Sequence, residues 1–199
     1  MNNDTNTNMK DRLTQATIQA IEEHRGVTGV SLRGIAKEAG CSHVNVYHHA
    51  DGLVGLFWLA YVQALGAFSE YCSRGVNKRR HEENYGLALG RSIVEFALDR
   101  EGLYRLLWFE DLGTDPRGEA LEAIGRVKAE FSRSAFEAFR ADGLQAEDYV
   151  LADRLSMLFA YLQGEVAMLI NGRSGPDRAA AGEQVSERSE RMWKLLLAS

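Results

Sequence analysis

Apolar residues recur at intervals of three and four along most of the chain, and no stretch alternates β-branched with polar residues. Such spacing places apolar side chains on one face of a helix, whereas a half-buried strand would need alternation. Only two prolines, Pro116 and Pro176, interrupt the pattern. The pattern therefore predicts an all-α fold, and the number of periodic segments indicates about nine helices.

Serine and glycine residues mark the ends of two short helices near the N-terminus. Ser31 is placed to cap a helix over residues 32–39, and Ser42 to cap another that runs to about His48. Gly40 lies between them, where a tight turn needs a residue that accepts positive φ. Further along, a long apolar helix is predicted over residues 53–72, and the polar stretch after it is predicted to be a loop.

Two short helices joined by a tight turn form a helix-turn-helix, whose second helix projects outward and can enter the major groove of DNA. Ala36 is small where the helices would cross, and Val46 would pack inward. Amide and imidazole groups can hydrogen bond to base edges, hydroxyl groups can hold phosphates, and a valine methyl can contact thymine. The outward side chains of the second helix would be those of His43, Val44, Asn45, Tyr47 and His48.

Three histidines within seven residues could instead indicate a metal site. His43 and His48 are five positions apart, which separates them by about 140° around a helix, and His49 lies on yet another face. Ligands that share a helix face are three or four positions apart. We therefore expect no metal and no cofactor here.

The segment SLRGIAKEAGCSHVNVYHHADGLVGL resembles the DNA-binding head of the TetR family of bacterial one-component regulators. The resemblance implies a helix-turn-helix DNA-binding domain over residues 1–50 and a ligand-binding and dimerisation domain over residues 51–199. It also implies a homodimer that binds a palindromic operator in double-stranded DNA, usually as a repressor, and that a small-molecule effector releases. Together with the outward side chains already named, the expected DNA contacts are Ser31, Arg33, Ser42 and His49.

Two positions depart from the family pattern. The family usually has phenylalanine where Ala50 stands, and lysine where Leu53 stands, at the start of the fourth helix. That lysine commonly contacts a phosphate, so its loss should remove one charge-assisted contact. Arg33 is a candidate to compensate for it.

The C-terminal part resembles the family more loosely, through LYRLLWFEDLG and LFAYLQGEVAMLINGR, and Gln163 stands where one subgroup has histidine before glycine. Aromatic residues on several helices could line an apolar cavity with a few polar groups. The expected ligand-binding residues are Trp58, Tyr61, Phe96, Trp108, Phe131, Tyr161 and Glu165. The last two helices should pair with their partner's copies through Leu155, Leu162, Val166, Leu169, Met192, Trp193 and Leu196.

Composition and charge exclude few classes of function. The net charge is −5, but residues 1–50 carry five bases and five acids, so the acidity lies entirely in the remainder. No glycine-rich phosphate loop, GxSxG or HExxH motif is present, so we expect no enzyme. The polar N-terminus, the interrupted apolar stretches and the two cysteines favour a cytoplasmic protein outside the membrane. Two alternatives stay open: a TetR-like ligand-binding protein that has lost operator binding, and a small helical enzyme or carrier.

Overall fold

The computed structural model describes residues 2–198, with side chains placed for residues 9–198. Within that range the chain forms nine α-helices and no strand, which confirms the all-α prediction. The helices are α1 (Asn2–His24), α2 (Leu32–Glu38), α3 (His43–Val46), α4 (Gly52–Arg79), α5 (Tyr85–Asp99), α6 (Glu101–Trp108), α7 (Glu119–Ala141), α8 (Asp148–Ile170) and α9 (Arg178–Ala198).

Helix α4 continues to Arg79, beyond the limit predicted from the sequence, and the stretch predicted to be a loop is largely helical. Arg79 donates a hydrogen bond of 2.6 Å to the Glu95 carboxylate and one of 3.3 Å to the Ser92 hydroxyl, both on α5. These tertiary partners stabilise a polar helical end that its own periodicity does not predict.

The helices form two compact units. The first contains the chain up to Ala67 together with Arg100–Ile124, and the second contains Phe68–Asp99 and the chain from Gly125 onward. The first unit therefore includes the predicted DNA-binding part, the first half of α4, α6 and the start of α7. Its core contains the fully buried side chains of Leu13, Ile21, Ile35, Val46, Leu56 and Tyr104.

Helix α6 is held tightly against the end of α1 in the first unit. The Glu22 carboxylate accepts a hydrogen bond of 3.0 Å from the Gly102 backbone N–H and pairs with Arg100. A carboxylate near a helix N-terminus interacts favourably with the helix dipole. A side chain at Gly102 would lie 2.4 Å from the Ile21 carbonyl oxygen, so only glycine allows this approach.

In the second unit, α5 packs against α9 through glycines. The Ser189 hydroxyl donates a hydrogen bond of 2.7 Å to the Gly86 carbonyl. A Cβ at Gly86 would lie 2.2 Å from the Trp193 Cβ, and one at Gly90 would lie 2.6 Å from the Ser189 Cβ. The absence of side chains at these two positions lets the helices approach closely enough to bury Trp193.

Gly86→Ala is therefore expected to lower the free energy of unfolding by about 1–3 kcal/mol, because the added methyl forces the two helices apart. Gly125→Ala is the matched control, since a Cβ there would have no heavy atom within 4 Å. In that open helical position alanine should stabilise the protein by about 0.5–1 kcal/mol. Urea unfolding followed by circular dichroism measures both values. Equal effects of the two substitutions would contradict close α5–α9 packing.

One described helix, α4, is long and apolar enough to cross a membrane by length and composition alone. Core helices of soluble proteins meet the same criterion.

Candidate nucleic-acid interface

The short helices α2 and α3 have the caps and the turn that the sequence predicts. Ser31 Oγ accepts a hydrogen bond of 3.2 Å from the Gly34 N–H, and Ser42 Oγ accepts one of 3.2 Å from the Asn45 N–H. Gly40 has φ of +70°, in the left-handed region that favours glycine. The Gly40 N–H donates to the Lys37 carbonyl and the Cys41 N–H to the Ala36 carbonyl, which closes the turn on α2. Helix-turn-helix geometry thus follows from local signals.

Helix α3 turns its polar side outward. Val46 is fully buried, whereas Val44 is 59% exposed and Tyr47 is 63% exposed. An apolar and an aromatic side chain this exposed on one short segment are available for contact with another molecule. All nine predicted DNA-contact residues have exposed or half-buried side chains: Ser31, Arg33, Ser42, His43, Val44, Asn45, Tyr47, His48 and His49.

The helical part of α3 is shorter than predicted. After Val46 the chain continues as a turn, in which the His48 N–H donates to the Asn45 carbonyl and the His49 N–H to the Val46 carbonyl, each three residues back. Bonds of this type tighten the end of a helix. As a result Tyr47, His48 and His49 lie on a turn that follows the reading helix.

His48 and His49 line an open cleft of about 570 Å³ in the first unit. Its other walls come from α1, from α4 and from the start of α7. The lining residues are Lys10, Asp11, Thr14, His48, His49, Leu59, Val62, Gln63 and Glu119. Only the fold brings Lys10 of α1 close to the end of α3.

The start of α4 contributes no positive charge to this surface. Its first turn, Gly52–Gly55, is uncharged, and Leu53 is half-buried. Ala50 is half-buried as well. A cation that replaces the family lysine must therefore come from another element.

The predicted ligand-binding residues are distributed over both units. Trp58, Tyr61 and Trp108 belong to the first unit, where the Trp58 indole donates a hydrogen bond of 2.9 Å to the Thr114 hydroxyl. The others belong to the second unit. There, Phe96 is fully buried and is packed edge-on against Phe68.

A cavity of about 110 Å³ lies in the second unit, and Phe131 is the one predicted ligand residue that lines it. Burial raises the pKa of the Cys72 thiol and of the Tyr85 hydroxyl in its wall, so both are neutral at physiological pH. The hydroxyl-rich lining of this cavity was not predicted from the sequence. The lining residues are Ser69, Cys72, Ser73, Val76, Asn77, Tyr85, Leu89, Glu130, Phe131 and Ser134.

Glu165 is already paired within the chain. Its Oε1 accepts hydrogen bonds of 2.8 Å from the Tyr161 hydroxyl and of 2.8 Å from Arg188 Nε. The hydrogen bonds from Arg188 lower the pKa of this carboxyl, although burial acts in the opposite direction. Glu165 is thus an ionised partner of Arg188 and not a free acceptor for a cationic ligand.

The predicted dimer residues are mostly in the core of the second unit. Leu155, Leu162, Val166, Leu169, Trp193 and Leu196 are buried by their own chain, and Met192 is half-buried. These six side chains pack within their own subunit, so their place in a dimer interface stays a prediction. The outer side of α8 instead exposes Met157 (52%) and Met168 (45%), and α9 exposes Leu195.

Comparisons with known proteins agree on the architecture. A family model described as "Tetracyclin repressor-like, C-terminal domain" matches residues 87–196, which is more than half of the chain. No curated protein sequence matches significantly.

Among solved structures, the chain is similar to a protein of unknown function from Rhodococcus sp. RHA1, with a TM-score of 0.73, 22% identity, and 94% and 93% of the two chains covered. It is also similar to a protein assigned as a transcriptional regulator in Pseudomonas aeruginosa PAO1, with a TM-score of 0.65, 19% identity, and 96% and 90% covered. A third similar structure is the fatty acid degradation regulator FadR from Bacillus halodurans, with a TM-score of 0.63, 16% identity, and 91% and 94% covered. At these identities the likeness concerns the fold.

Proposed function

The chain belongs to the TetR family of helix-turn-helix transcriptional regulators, and we propose that it is a homodimeric repressor of transcription. Regulators of this family bind DNA, and they commonly form dimers and bind small-molecule effectors. We propose that this protein binds a palindromic operator and is released when an effector binds. The family points to a regulator and not to an enzyme.

The exposed side chains of α3 are the main support for DNA binding. Its inner residue, Val46, anchors the helix in the core, while His43 and Val44 are exposed beside the half-buried Asn45. Imidazole and amide groups can read base edges in the major groove, and a valine methyl can contact thymine. We propose residues 1–50 as the part that contacts DNA.

The outer face of α8 supports the dimer. Ala152, Ser156, Ala160 and Gly164 recur every four residues and are all exposed, so they form a row of small side chains along the helix. Small residues let two helices approach closely, and the exposed methionines on the same helix provide apolar area to bury. A two-fold dimer would place two reading helices about 34 Å apart on successive turns of DNA.

We propose that the effector binds in the second unit, with the cavity beside Phe131 as part of its site. The Cys72 thiol and the Tyr85 hydroxyl in its wall are neutral, which suits an uncharged group of the effector. At about 110 Å³ the cavity is smaller than typical ligand sites of about 300–1,000 Å³, so it can hold only part of a larger molecule. The cytoplasm is the proposed location, because the operator is there.

The test begins with selection of genomic fragments that the protein binds at moderate salt, followed by affinity measurement on the enriched duplex. Asn45→Ala is expected to weaken binding by about 5- to 150-fold, because a contact to a base edge contributes about 1–3 kcal/mol. Gln15→Ala is the matched control, since it removes an exposed amide from α1 of the same unit. No enrichment, or equal affinities of wild type and Asn45→Ala, would contradict the assignment.

The uncharged start of α4 favours one alternative, a TetR-like protein that binds its ligand but no longer holds an operator. Leu53 stands where the family pattern has a lysine that commonly contacts phosphate, and residues 1–50 have no net positive charge. Failure of fragment selection by the wild type, with binding recovered in Leu53→Lys, would favour this alternative over the repressor.

A further inference from the structure

We infer that the open cleft of the first unit binds a small zwitterion, namely an α-amino acid with an aliphatic side chain. This is the cleft that the turn after α3 shares with α1, α4 and the start of α7. Its volume of about 570 Å³ lies within the range of about 300–1,000 Å³ that is typical of small-molecule sites. The site is separate from the cavity beside Phe131, which we propose for the effector.

Charges of both signs meet in this cleft. Helix α1 contributes Lys10 and Asp11, and Glu119, the first residue of α7, contributes a second carboxylate. Lys10 Nζ lies 3.3 Å from Glu119 Oε2, and the two side chains are 42% and 69% exposed. Exposed ion pairs of this kind contribute little to stability, so either group can exchange its partner at low cost. A ligand with both an ammonium and a carboxylate can pair with both groups at once.

A ligand with a single charge fits this arrangement less well. An anion on Lys10 would meet the carboxylates of Asp11 and Glu119, and like charges in close contact are strongly unfavourable. A cation on either carboxylate would bring a second positive charge close to Lys10. A zwitterion exchanges the Lys10–Glu119 pair for two pairs of the same kind, so no charge in the cleft loses its partner.

Neutral donors and acceptors complete the polar walls. Gln63 on α4 presents an exposed amide, which has two N–H donors and one acceptor oxygen. The Thr14 hydroxyl donates a hydrogen bond of 2.8 Å to the Lys10 carbonyl, so its oxygen can still accept one from an ammonium. These groups can satisfy further hydrogen bonds of the ligand without adding charge to the cleft.

The α4 wall favours an aliphatic side chain on the ligand. Leu59 and Val62 both line the cleft, and they are three positions apart, so they share one face of the helix. Both are only half-buried. An aliphatic group that packs on them would remove their exposed apolar area from water, which is favourable. This wall therefore selects leucine, isoleucine and valine among the free amino acids.

Isothermal titration calorimetry of the full-length protein without DNA tests the site with L-leucine, L-isoleucine and L-valine. At least one of them is expected to bind with a Kd of about 1 mM or lower. The amide of the tightest binder lacks the carboxylate, and its N-acetyl derivative lacks the ammonium. Each should bind about tenfold more weakly or worse, because a charged hydrogen-bond partner is lost. A blocked derivative that binds as tightly as the free amino acid would overturn the zwitterion assignment.

Lys10→Gln and Glu119→Gln should each weaken this binding about tenfold, since each removes one of the charges that hold the ligand. Both side chains are exposed, so neither exchange should disturb folding, which circular dichroism verifies. Lys37→Gln and Glu122→Gln are the matched controls, because they change an exposed lysine and an exposed glutamate outside the cleft. No binding by any of the three amino acids, or equal affinities of the wild type and both cleft variants, would overturn the site.

The position of the cleft gives the site a regulatory role, and this part rests on the proposed function. His48 and His49 line the cleft and follow Tyr47 on the turn after α3. A ligand that contacts this turn together with α1 and α4 should restrict its motion before DNA binds, which lowers the entropic cost of binding. Saturation with the amino acid is therefore expected to tighten binding of the selected duplex by about fivefold. An unchanged affinity would overturn the regulatory role, whereas failure to enrich any operator would overturn the proposed function and leave the calorimetric result standing.

Discussion

Trp193→Ala is expected to lower the free energy of unfolding by about 3–5 kcal/mol, because truncation of a buried aromatic leaves a cavity that its neighbours fill only in part. Trp193 is fully buried in the second unit. Its ring stacks on Phe139 with centroids 4.1 Å apart, and it is tilted against Tyr85 with centroids 5.0 Å apart. Its indole N–H donates a hydrogen bond of 2.6 Å to the Asp142 carboxylate. One side chain thus connects α9 with α5 and with the end of α7.

Urea unfolding measured by far-ultraviolet circular dichroism is the suitable readout, since the substitution itself alters tryptophan fluorescence. Trp193→Phe separates the two contributions, because it retains a stacked ring and removes the hydrogen bond, which should reduce stability by about 1–3 kcal/mol. Lys194→Ala on the same helix is the control, with an expected change within about 0.5 kcal/mol. A Trp193→Ala protein as stable as this control would show that Trp193 does not hold the unit together.

Ala160→Glu is expected to convert the protein to a folded monomer and to weaken operator binding by about 1,000-fold or more. Ala160 lies in the middle of the small-residue row on α8 and is exposed in the subunit, so a glutamate there should not disturb folding. Across a two-fold interface the two carboxylates would be buried near each other without partners, which is strongly unfavourable. A monomer has a single head and cannot use both half-sites, so its affinity for the operator should be close to its affinity for random DNA. Specific complexes are typically about 10³-fold or more tighter than non-specific ones.

Light scattering coupled to size exclusion gives the mass, and titration of the selected duplex gives the affinity. Ala129→Glu is the matched control, since it adds the same charge at an exposed alanine of α7. It should leave both mass and affinity unchanged. An Ala160→Glu protein that remains dimeric would place the interface on another surface, and a monomeric wild type would rule out the homodimer.

The head could be predicted because its determinants are local. Ser31, Gly40 and Ser42 fix two caps and a turn within twelve residues, and each acts on backbone groups within three or four positions. The length of α4 was not predictable in the same way. Its polar end depends on Glu95, sixteen residues beyond Arg79 in the sequence, and helix periodicity contains no information about that partner.

The proposed dimer face shows a second reason why sequence periodicity does not identify every surface. Periodicity selects the more hydrophobic stripe of α8, which includes Leu158 and Leu162, and that stripe is buried by the chain's own core. The exposed stripe that we propose for a partner contains alanine, serine and glycine, whose hydropathy is weak. Likewise, Lys10 pairs with Glu119 across 109 positions of sequence, so no local motif could reveal that contact.

The contact between Glu22 and the start of α6 affects how this regulator could be re-engineered. Exchanging heads between regulators is one way to redirect them to new promoters, and a junction at residue 50 would follow the proposed DNA-binding domain. A chimera that places residues 1–50 of this chain on the body of another regulator would keep the Glu22 carboxylate. It would lose Gly102, the residue that lets α6 approach α1. A transplant that extends to Ala67 and also includes Arg100–Ile124 preserves the whole compact unit and should yield the better-behaved hybrid.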